Sequence, residues 1–398
     1  MSAIIFNFIF LSLFPLVALS NVCESYYHKT PVAHVDLSVR KNKWSDYKQH
    51  VIEKNRLFPL WIAGKLMWIY DNANVSVNVT HACNAKCGFC VDALEKKDAV
   101  EPAGSKVSRD QYSEQFDRTM KTLKDANVTV SVTGGEPTLD ARRLAGILKT
   151  MNDHGIKKRV LTTNGSLLLA PAKGFEEKRT IDLIAEYGLE HMNISRAHYD
   201  DTINDDIMMM KPHFSNRQLE DAVKEAKKAG IRVRLSLAIL KEGVNDINGI
   251  RNYLDWAKSI GVEDVIVRQL MEIDLGEMKQ NWVSDFYHKE GRTIKLDDLL
   301  ISVDQDPNFH LVKQHVGYYY YSEVYTYKGV NVVFNMADLT LLDQPETSQP
   351  TYDGKRIVYE MIFQDNGSLE GTWESGKDVL IPAPNAYSPI RFYSTAKK

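Results

Sequence analysis

Between residues 74 and 270, short runs alternate apolar and polar positions with a period of two, and longer stretches of helical period separate them. The alternation predicts strands over 75–80, 128–133, 159–164, 191–196, 231–239 and 265–269. In the first, Val75, Val77 and Val79 share one face while Ser76, Asn78 and Thr80 share the other. The second parts Val128, Val130 and Val132 from Thr129, Ser131 and Thr133, and the fourth parts Met192 and Ile194 from Asn193 and Ser195. The fifth sets Ile231, Val233, Leu235, Leu237 and Ile239 against Arg232, Arg234 and Ser236. In the intervening helices, Ser108-Arg-Asp-Gln111 and Ser215-Asn-Arg-Gln218 read as capping boxes, and Gly230 and Gly261 read as stops.

Strands alternating with helices argue for a parallel sheet with right-handed crossovers. Six such units predict an α/β fold, a partial (β/α)6 TIM-like barrel rather than the complete eightfold one. One strand face packs helices. The other is polar strand after strand, where a filled barrel core would be apolar, so the lumen is expected to hold water or ligand. A half-exposed antiparallel sheet gives the same alternation but leaves the helices unexplained.

The flanks differ. Trp44, Tyr47, Trp61, Trp68 and Tyr70 precede the first strand and suggest N-terminal helices covering the barrel. After 270 two hairpins are expected, turning at Lys328-Gly329 and at Asp365-Asn366-Gly367, and forming a small C-terminal β-rich appendage. The expected division is a signal-like or tethering segment over 1–22, an extension over 23–73, a core over 74–275 and a C-terminal extension over 276–398.

Composition narrows the function classes. The 398 residues carry a net charge of −3, so no global basic field favours nucleic acid. Residues 3–19 form an apolar run interrupted by Asn7, Ser12 and Pro15, short for a membrane span. The run lacks a basic n-region but offers Ala18-Leu-Ser20 as a cleavage site, and it reads as a signal peptide, a tether or neither. Glycosylation sequons at Asn74, Asn78, Asn127, Asn164, Asn193 and Asn366 weigh against secretion, because several fall in or beside core strands. The body is expected to be cytoplasmic, touching a membrane only through residues 3–19.

Four cysteines in 398 residues are no disulfide scaffold. Three of them, Cys83, Cys87 and Cys90, share the loop Cys83-Asn-Ala-Lys-Cys87-Gly-Phe89-Cys90 after the first strand. Three thiolates on one loop suit a 4Fe–4S cluster with one open iron, or, with His81, a Cys3His zinc site. Pairing with Cys23 would leave two clustered thiols unexplained.

The CxxxCxxC spacing, with an aromatic before the last cysteine, resembles the radical S-adenosylmethionine (SAM) superfamily. Further matches follow in order. Gly134-Gly135-Glu136-Pro137 ends the second strand and resembles the element that holds the SAM amino group. Thr162-Thr-Asn164-Gly165 ends the third, and Asn193-Ile-Ser195-Arg196 the fourth, where family members hold the SAM carboxylate and ribose. The fifth runs through Ile239 into Gly243-Val-Asn245-Asp246, similar to the region that packs adenine. The resemblance implies that Cys83, Cys87 and Cys90 carry one cluster, beside Phe89. It also implies SAM contacts from Gly134, Gly135, Glu136, Asn164, Ser195, Arg196 and Ile239.

By the same resemblance, an external donor such as a flavodoxin or ferredoxin reduces the cluster. SAM is then cleaved to methionine and a 5′-deoxyadenosyl radical, which abstracts hydrogen from the substrate. The cysteine loop is similar to that of viperin-like nucleotide dehydratases, and residues 235–274 to the molybdopterin GTP cyclase. That cyclase carries a second cluster, whereas no cysteine follows Cys90 here. The expected substrate is small and anionic, with the two resemblances leaning toward a nucleotide, met by Asn78, Arg234 and Arg268. A modified peptide is the alternative, and a zinc-stabilised non-catalytic binding protein the second alternative.

Overall fold

The computed structural model describes residues 57–97, 107–289, 294–316, 319–341 and 351–384. The described residues open with a hairpin of β1 (Leu57–Ile62) and β2 (Lys65–Asn78), which turns at Ala63-Gly64 with both residues at positive φ. There follow α1 (Arg109–Leu123), β3 (Thr129–Thr133), α2 (Ala141–Asp153), β4 (Lys158–Thr163), α3 (Thr180–Tyr187) and β5 (His191–Ser195). Then come α4 (Asp201–Met208), α5 (Asn216–Lys228), β6 (Arg232–Ala238), α6 (Ile247–Ser259) and β7 (Asp264–Arg268). The C-terminal part holds α7 (Trp282–His288), α8 (Leu296–Gln305), β8 (Phe309–Val316), β9 (Tyr320–Tyr327) and β10 (Val330–Ala337), and finally β11 (Lys355–Phe363), β12 (Leu369–Glu370) and β13 (Val379–Ile381).

The six strands β2 to β7 pair side by side in parallel, each joined to the next through helix, as the alternation predicts. Both capping boxes form, at Ser108/Gln111 and Ser215/Gln218. Gly230 and Gly261 take the positive φ that ends their helices. Val75, Val77, Val130, Val132, Leu161, Met192, Ile194, Val233, Leu235 and Val265 are fully buried in one core with Leu144, Leu148, Leu219, Val223, Ile250 and Leu254 from the helices. Each such side chain stabilises the fold by about 1.5–3 kcal/mol relative to exposure.

Two departures matter. Trp61, Trp68 and Tyr70 lie on the β1–β2 hairpin, not on N-terminal helices. Aromatic and β-branched residues favour a pleated, half-buried surface, and Ala63-Gly64 supplies the turn. Trp44 and Tyr47 lie outside the described residues. The C-terminal hairpins also do more than append. After the turn at Lys328-Gly329, β10 pairs in parallel with β7, and β11 pairs in parallel with β2. The parallel array therefore has eight strands, one C-terminal strand being added at each edge. The sheet runs β8-β9-β10-β7-β6-β5-β4-β3-β2-β11-β12-β13 and is not closed by backbone pairing among the described residues.

The other face of the array is polar. Ser131 Oγ donates to Asn74 Oδ1 at 2.7 Å, and Asn74 Nδ2 donates to Ser76 Oγ at 2.8 Å and to Glu360 Oε1 at 3.3 Å. Further round, Asn193 Nδ2 donates to Thr162 Oγ1 at 3.2 Å, Arg234 Nε to Asn193 Oδ1 at 2.7 Å, and Arg268 to Ser236 Oγ at 3.3 Å and Asn335 Oδ1 at 3.0 Å. Side-chain bonds between neighbouring strands meet the need of buried polar groups for partners. Among the described residues no helix is long and apolar enough to cross a membrane. Residues 3–19 fall outside them.

Candidate functional site

Parallel strands deliver their loops to one edge of the sheet, where ligands of such folds bind. The loop after β2 carries the three cysteines. Cys87 is buried, Cys90 half-buried and Cys83 exposed. The loop is tied on several sides. Lys86 N donates to Met208 O at 3.2 Å, Lys211 N to Asn84 O at 2.9 Å, and Asn84 Nδ2 back to Lys211 O at 2.8 Å. The Cys87 thiol donates to Met208 O at 3.4 Å. Phe89 packs half-buried against the core.

The Gly134-Gly135 pair is fastened directly to this loop. Gly135 N donates to Thr80 O at 2.7 Å and Glu136 N to Ala82 O at 2.8 Å. A Cβ on Gly134 would lie 2.4 Å from Thr80 O, and one on Gly135 would lie 2.4 Å from Ala82 O. Gly134 also holds φ +130°, outside the usual range of L side chains. Both glycines are therefore required by close backbone approach.

Glu136 is fully buried, and its carboxylate turns away from the lumen. Oε1 accepts from Thr138 N at 3.1 Å and from the Thr138 and Thr163 hydroxyls, each at 2.6 Å; Oε2 accepts from Asn164 N at 2.7 Å. Burial pushes its pKa up, and these hydrogen bonds pull against that. Glu136 thus joins the end of β3 to the end of β4. Asn164 Nδ2 in turn donates to Asn84 Oδ1 at 2.8 Å, and Asn164 Oδ1 accepts from the Ser166 hydroxyl at 2.7 Å.

Arg196 departs from the expected cofactor contact. It is 1% exposed, with Nε donating to His198 O at 3.1 Å, Nη1 to Phe214 O at 2.7 Å, and Nη2 to Asn216 Oδ1 at 2.6 Å and to Asp201. The guanidinium knots the loops after β5 to the start of α5, which leaves it no free edge for a carboxylate. Ser195 ends β5 half-buried, and Ile239 is buried just beyond β6 with its N–H on Arg268 O at 2.9 Å. Asn78 gives Nδ2 to Gln364 Oε1 at 2.9 Å. Arg234 engages only Nε, on Asn193, among the described residues.

The segment after β7, unsuspected from sequence, covers the cysteine loop. Trp282 Nε1 donates to Cys87 O at 3.4 Å, the Lys86 ammonium sits 5.2 Å from the centre of the Trp282 ring, and Asn281 Nδ2 donates to Ala93 O at 2.7 Å. Phe286 packs so closely on Gly88 that a Cβ there would lie 2.4 Å from its ring. The only sequence signal was the aromatic cluster Trp282, Phe286, Tyr287 on an otherwise polar stretch.

As the side chains stand, no three His, Cys, Asp or Glu residues among the described residues are gathered tightly enough to hold a metal ion. The donor chemistry nevertheless fits an iron–sulfur cluster. Burial raises the pKa of all three thiols, Cys90 to about 11, with Asp92 adding to that effect. Such thiols ionise when a cation compensates the charge. His81 suits the zinc alternative poorly: its Nδ1 lies 3.6 Å from Asp92 Oδ1 and its Nε2 3.8 Å from Asp365 Oδ1, so both ring nitrogens face carboxylates.

Comparison with known proteins agrees with the motif order. Residues 77–256 match the profile of the radical SAM superfamily. A probable GTP 3′,8-cyclase of Sulfolobus acidocaldarius is 28% identical over 55% of this chain and 63% of its own length. The GTP 3′,8-cyclase of Aliarcobacter butzleri is 28% identical over 59% of this chain and 64% of its own. The chain thus spans somewhat less than two thirds of these relatives. Among solved structures, Streptococcus suis SuiB bound to S-adenosylmethionine aligns with a TM-score of 0.43 and 17% identity, covering 76% of this chain and 60% of that one.

Proposed function

The chain carries a radical SAM domain homologous to that of the GTP 3′,8-cyclases, and from that premise we propose that it reductively cleaves SAM and abstracts hydrogen from a small anionic substrate, a nucleotide. The family implies SAM and a 4Fe–4S cluster. We assign the cluster to Cys83, Cys87 and Cys90 and count one, since no cysteine follows Cys90 in the sequence. Bound there, the cluster supplies the electron that breaks the sulfonium C–S bond of SAM.

The chain's own residues do the rest. The Gly134-Gly135 backbone, pressed against Thr80–Ala82, leaves room for the methionine end of SAM. Asn164, Ser195 and Ile239 line its remaining path on successive strand ends. Glu136 and Arg196 hold these loops in place rather than touching SAM. A primary radical attacks most C–H bonds it meets, so the lumen must exclude water and present one bond. We read residues 74–275 as the catalytic core, with 276–398 widening its sheet. The electron comes from an external flavodoxin or ferredoxin, in a reducing, cytoplasmic setting.

The observation that carries the substrate class is the pair Arg234 and Arg268, half-buried on the polar lumen face of adjoining strands. Two guanidiniums on a partly dry wall favour a phosphate-bearing ligand. The matched relatives are named for GTP. A peptide substrate is the second reading, supported by β8, which among the described residues pairs on one side only and so offers an edge to which a peptide can add.

The test is anaerobic reconstitution followed by iron, sulfide and zinc analysis, then SAM turnover with a strong reductant. Four irons per chain and release of 5′-deoxyadenosine are expected, both lost in Cys87→Ala. One tightly bound zinc that iron cannot displace would overturn the enzyme reading in favour of a zinc-stabilised binding protein. Nucleotide titration of wild type and Arg234→Ala tests the substrate class; no binding would move the peptide ahead.

A further inference from the structure

Glu360 is the lumen residue that SAM binding leaves unexplained. It lies on β11 opposite Asn74 in parallel register and is 3% exposed. Its Oε1 accepts from Asn74 Nδ2 and Ser76 Oγ, both at 3.3 Å, long for bonds to a carboxylate. Its Oε2 is buried and makes no well-aligned hydrogen bond, although the Tyr319 hydroxyl and the Trp373 indole face the carboxyl. A buried acceptor so poorly met is costly, and it persists where something else completes it.

The surroundings say what kind of group that is. Tyr319 stands just before β9, at the far edge of the sheet from β11, and its hydroxyl also lies within the electrostatic reach of Arg268. Tyr319 therefore brings the far edge of the open sheet to Glu360, with Arg268 close enough to act on its hydroxyl. A second acceptor, Asn78 Oδ1, is likewise buried without a partner on the same face of β2. The β2–β11 wall thus presents under-satisfied acceptors, while the guanidiniums of Arg234 and Arg268 lie on β6 and β7 of the same polar face. A ligand bridging them carries N–H donors at one end and negative charge at the other. That description fits a nucleotide whose base bears an exocyclic amino group.

We propose that Glu360 is a substrate-recognition residue whose Oε2 accepts a hydrogen bond from the exocyclic amino group of a nucleobase, while Arg234 and Arg268 take the phosphates. This rests on the nucleotide reading above and adds the base-reading element, which comes from a strand outside the matched domain. In Glu360→Gln, the amide oxygen satisfies Asn74 and Ser76 and the NH2 falls at the Oε2 position, opposing the base amino group donor to donor.

The experiment is equilibrium binding to the reconstituted, SAM-loaded full chain. Three pairs are compared: GTP with ITP, ATP with purine riboside triphosphate, and CTP with UTP. In at least one pair the amino-bearing nucleotide should bind ten times tighter or more, and Glu360→Gln should shrink that ratio below threefold. The wild-type comparison needs no variant, and thermal melting with iron content checks that Glu360→Gln is folded. Equal binding within every pair, or discrimination unchanged in Glu360→Gln, overturns the role of Glu360 and leaves the nucleotide reading standing. If no nucleotide binds while SAM does, both fall.

Discussion

Replacing Glu136 by Gln tests whether the site is held together by one buried carboxylate. The side chain is fully buried and receives four donors, two of them backbone N–H groups, from Thr138 and Asn164. The Thr138 and Thr163 hydroxyls can rotate to accept instead of donate, but an N–H cannot. With its NH2 at the Oε2 position, Gln faces the N–H of Asn164; with NH2 at Oε1, it faces that of Thr138. One donor–donor contact is unavoidable, and one charge-assisted bond is lost. A hydrogen bond to a charged group is worth about 1.5–3 kcal/mol, so a destabilisation of roughly 2–3 kcal/mol is expected. The assay is denaturant unfolding of wild type and variant without cluster, paired with SAM affinity after reconstitution. Affinity should fall as well, because Glu136 sits between Gly135 and the strand end at Asn164. A change below about 0.5 kcal/mol with unaltered affinity would sink the reasoning. It would mean that the buried carboxyl carries a proton, which Gln mimics.

Three further outcomes are expected. Gly135→Ala places a methyl 2.4 Å from Ala82 O and 2.5 Å from His81 O; SAM affinity should drop at least about tenfold, with far-UV circular dichroism unchanged. Arg196→Met strands the buried carbonyls of His198 and Phe214 and unpairs Asp201, whose side chain is 39% exposed, and should cost about 2–3 kcal/mol in chemical denaturation, the scale for buried acceptors left unsatisfied. Glu190 has a pKa raised to about 7, chiefly by burial. The folded state therefore holds its proton where the unfolded chain has released it. Its contribution to stability falls as pH rises from the ordinary carboxylate range through about 7. Unfolding midpoints measured from pH 5 to 8 should decline more steeply in wild type than in Glu190→Gln; parallel profiles would refute the assignment.

What the sequence disclosed follows physical lines. Period-two alternation in β2, β3, β5 and β6 was readable because these strands have one face on helices and the other on polar partners, so Val75/Ser76 or Ile194/Ser195 announce their sides locally, whereas β7 sets Ile266 against Val324 and Val333 on its second face. The cysteine loop and Gly134-Gly135 were readable because their chemistry is local too. Arg196 was not. Lumen ligand and buried knot demand the same residue type at a strand end, and only the positions of Phe214 and Asn216, 18 and 20 residues further along the chain, decide between them. The β1–β2 hairpin was misread because Trp61 and Trp68 suit an amphipathic helix as well as a twisted hairpin, and Ala63-Gly64 is a weaker turn signal than Asn-Gly. The edge positions of β10 and β11 could not be read at all, since hairpin patterning is silent about which distant strand a hairpin joins.

That last point bears on where selectivity resides. The matched domain, residues 77–256, supplies the cysteine loop, the glycine pair and the strand ends along the expected SAM path. Asn78 and Arg234 lie inside that domain, but many polar-face groups come from elsewhere: Asn74 before it, and Arg268, Tyr319, Asn335 and Glu360 after it. Trp282 and Phe286, which cover the cysteine loop, also follow it. If a radical is made within the shared domain and aimed by groups outside it, two enzymes can share the first without sharing a substrate. The identity to the cyclases, confined to about half the chain, is therefore informative about SAM and much less so about the substrate. Exchanging the segment after residue 294, which leaves Trp282 and Phe286 on the cysteine loop, for that of a cyclase should on this argument leave SAM cleavage in place while changing which nucleotide stimulates it. Loss of SAM cleavage itself, with the cluster retained, would show that the C-terminal strands complete the cofactor site rather than the substrate wall.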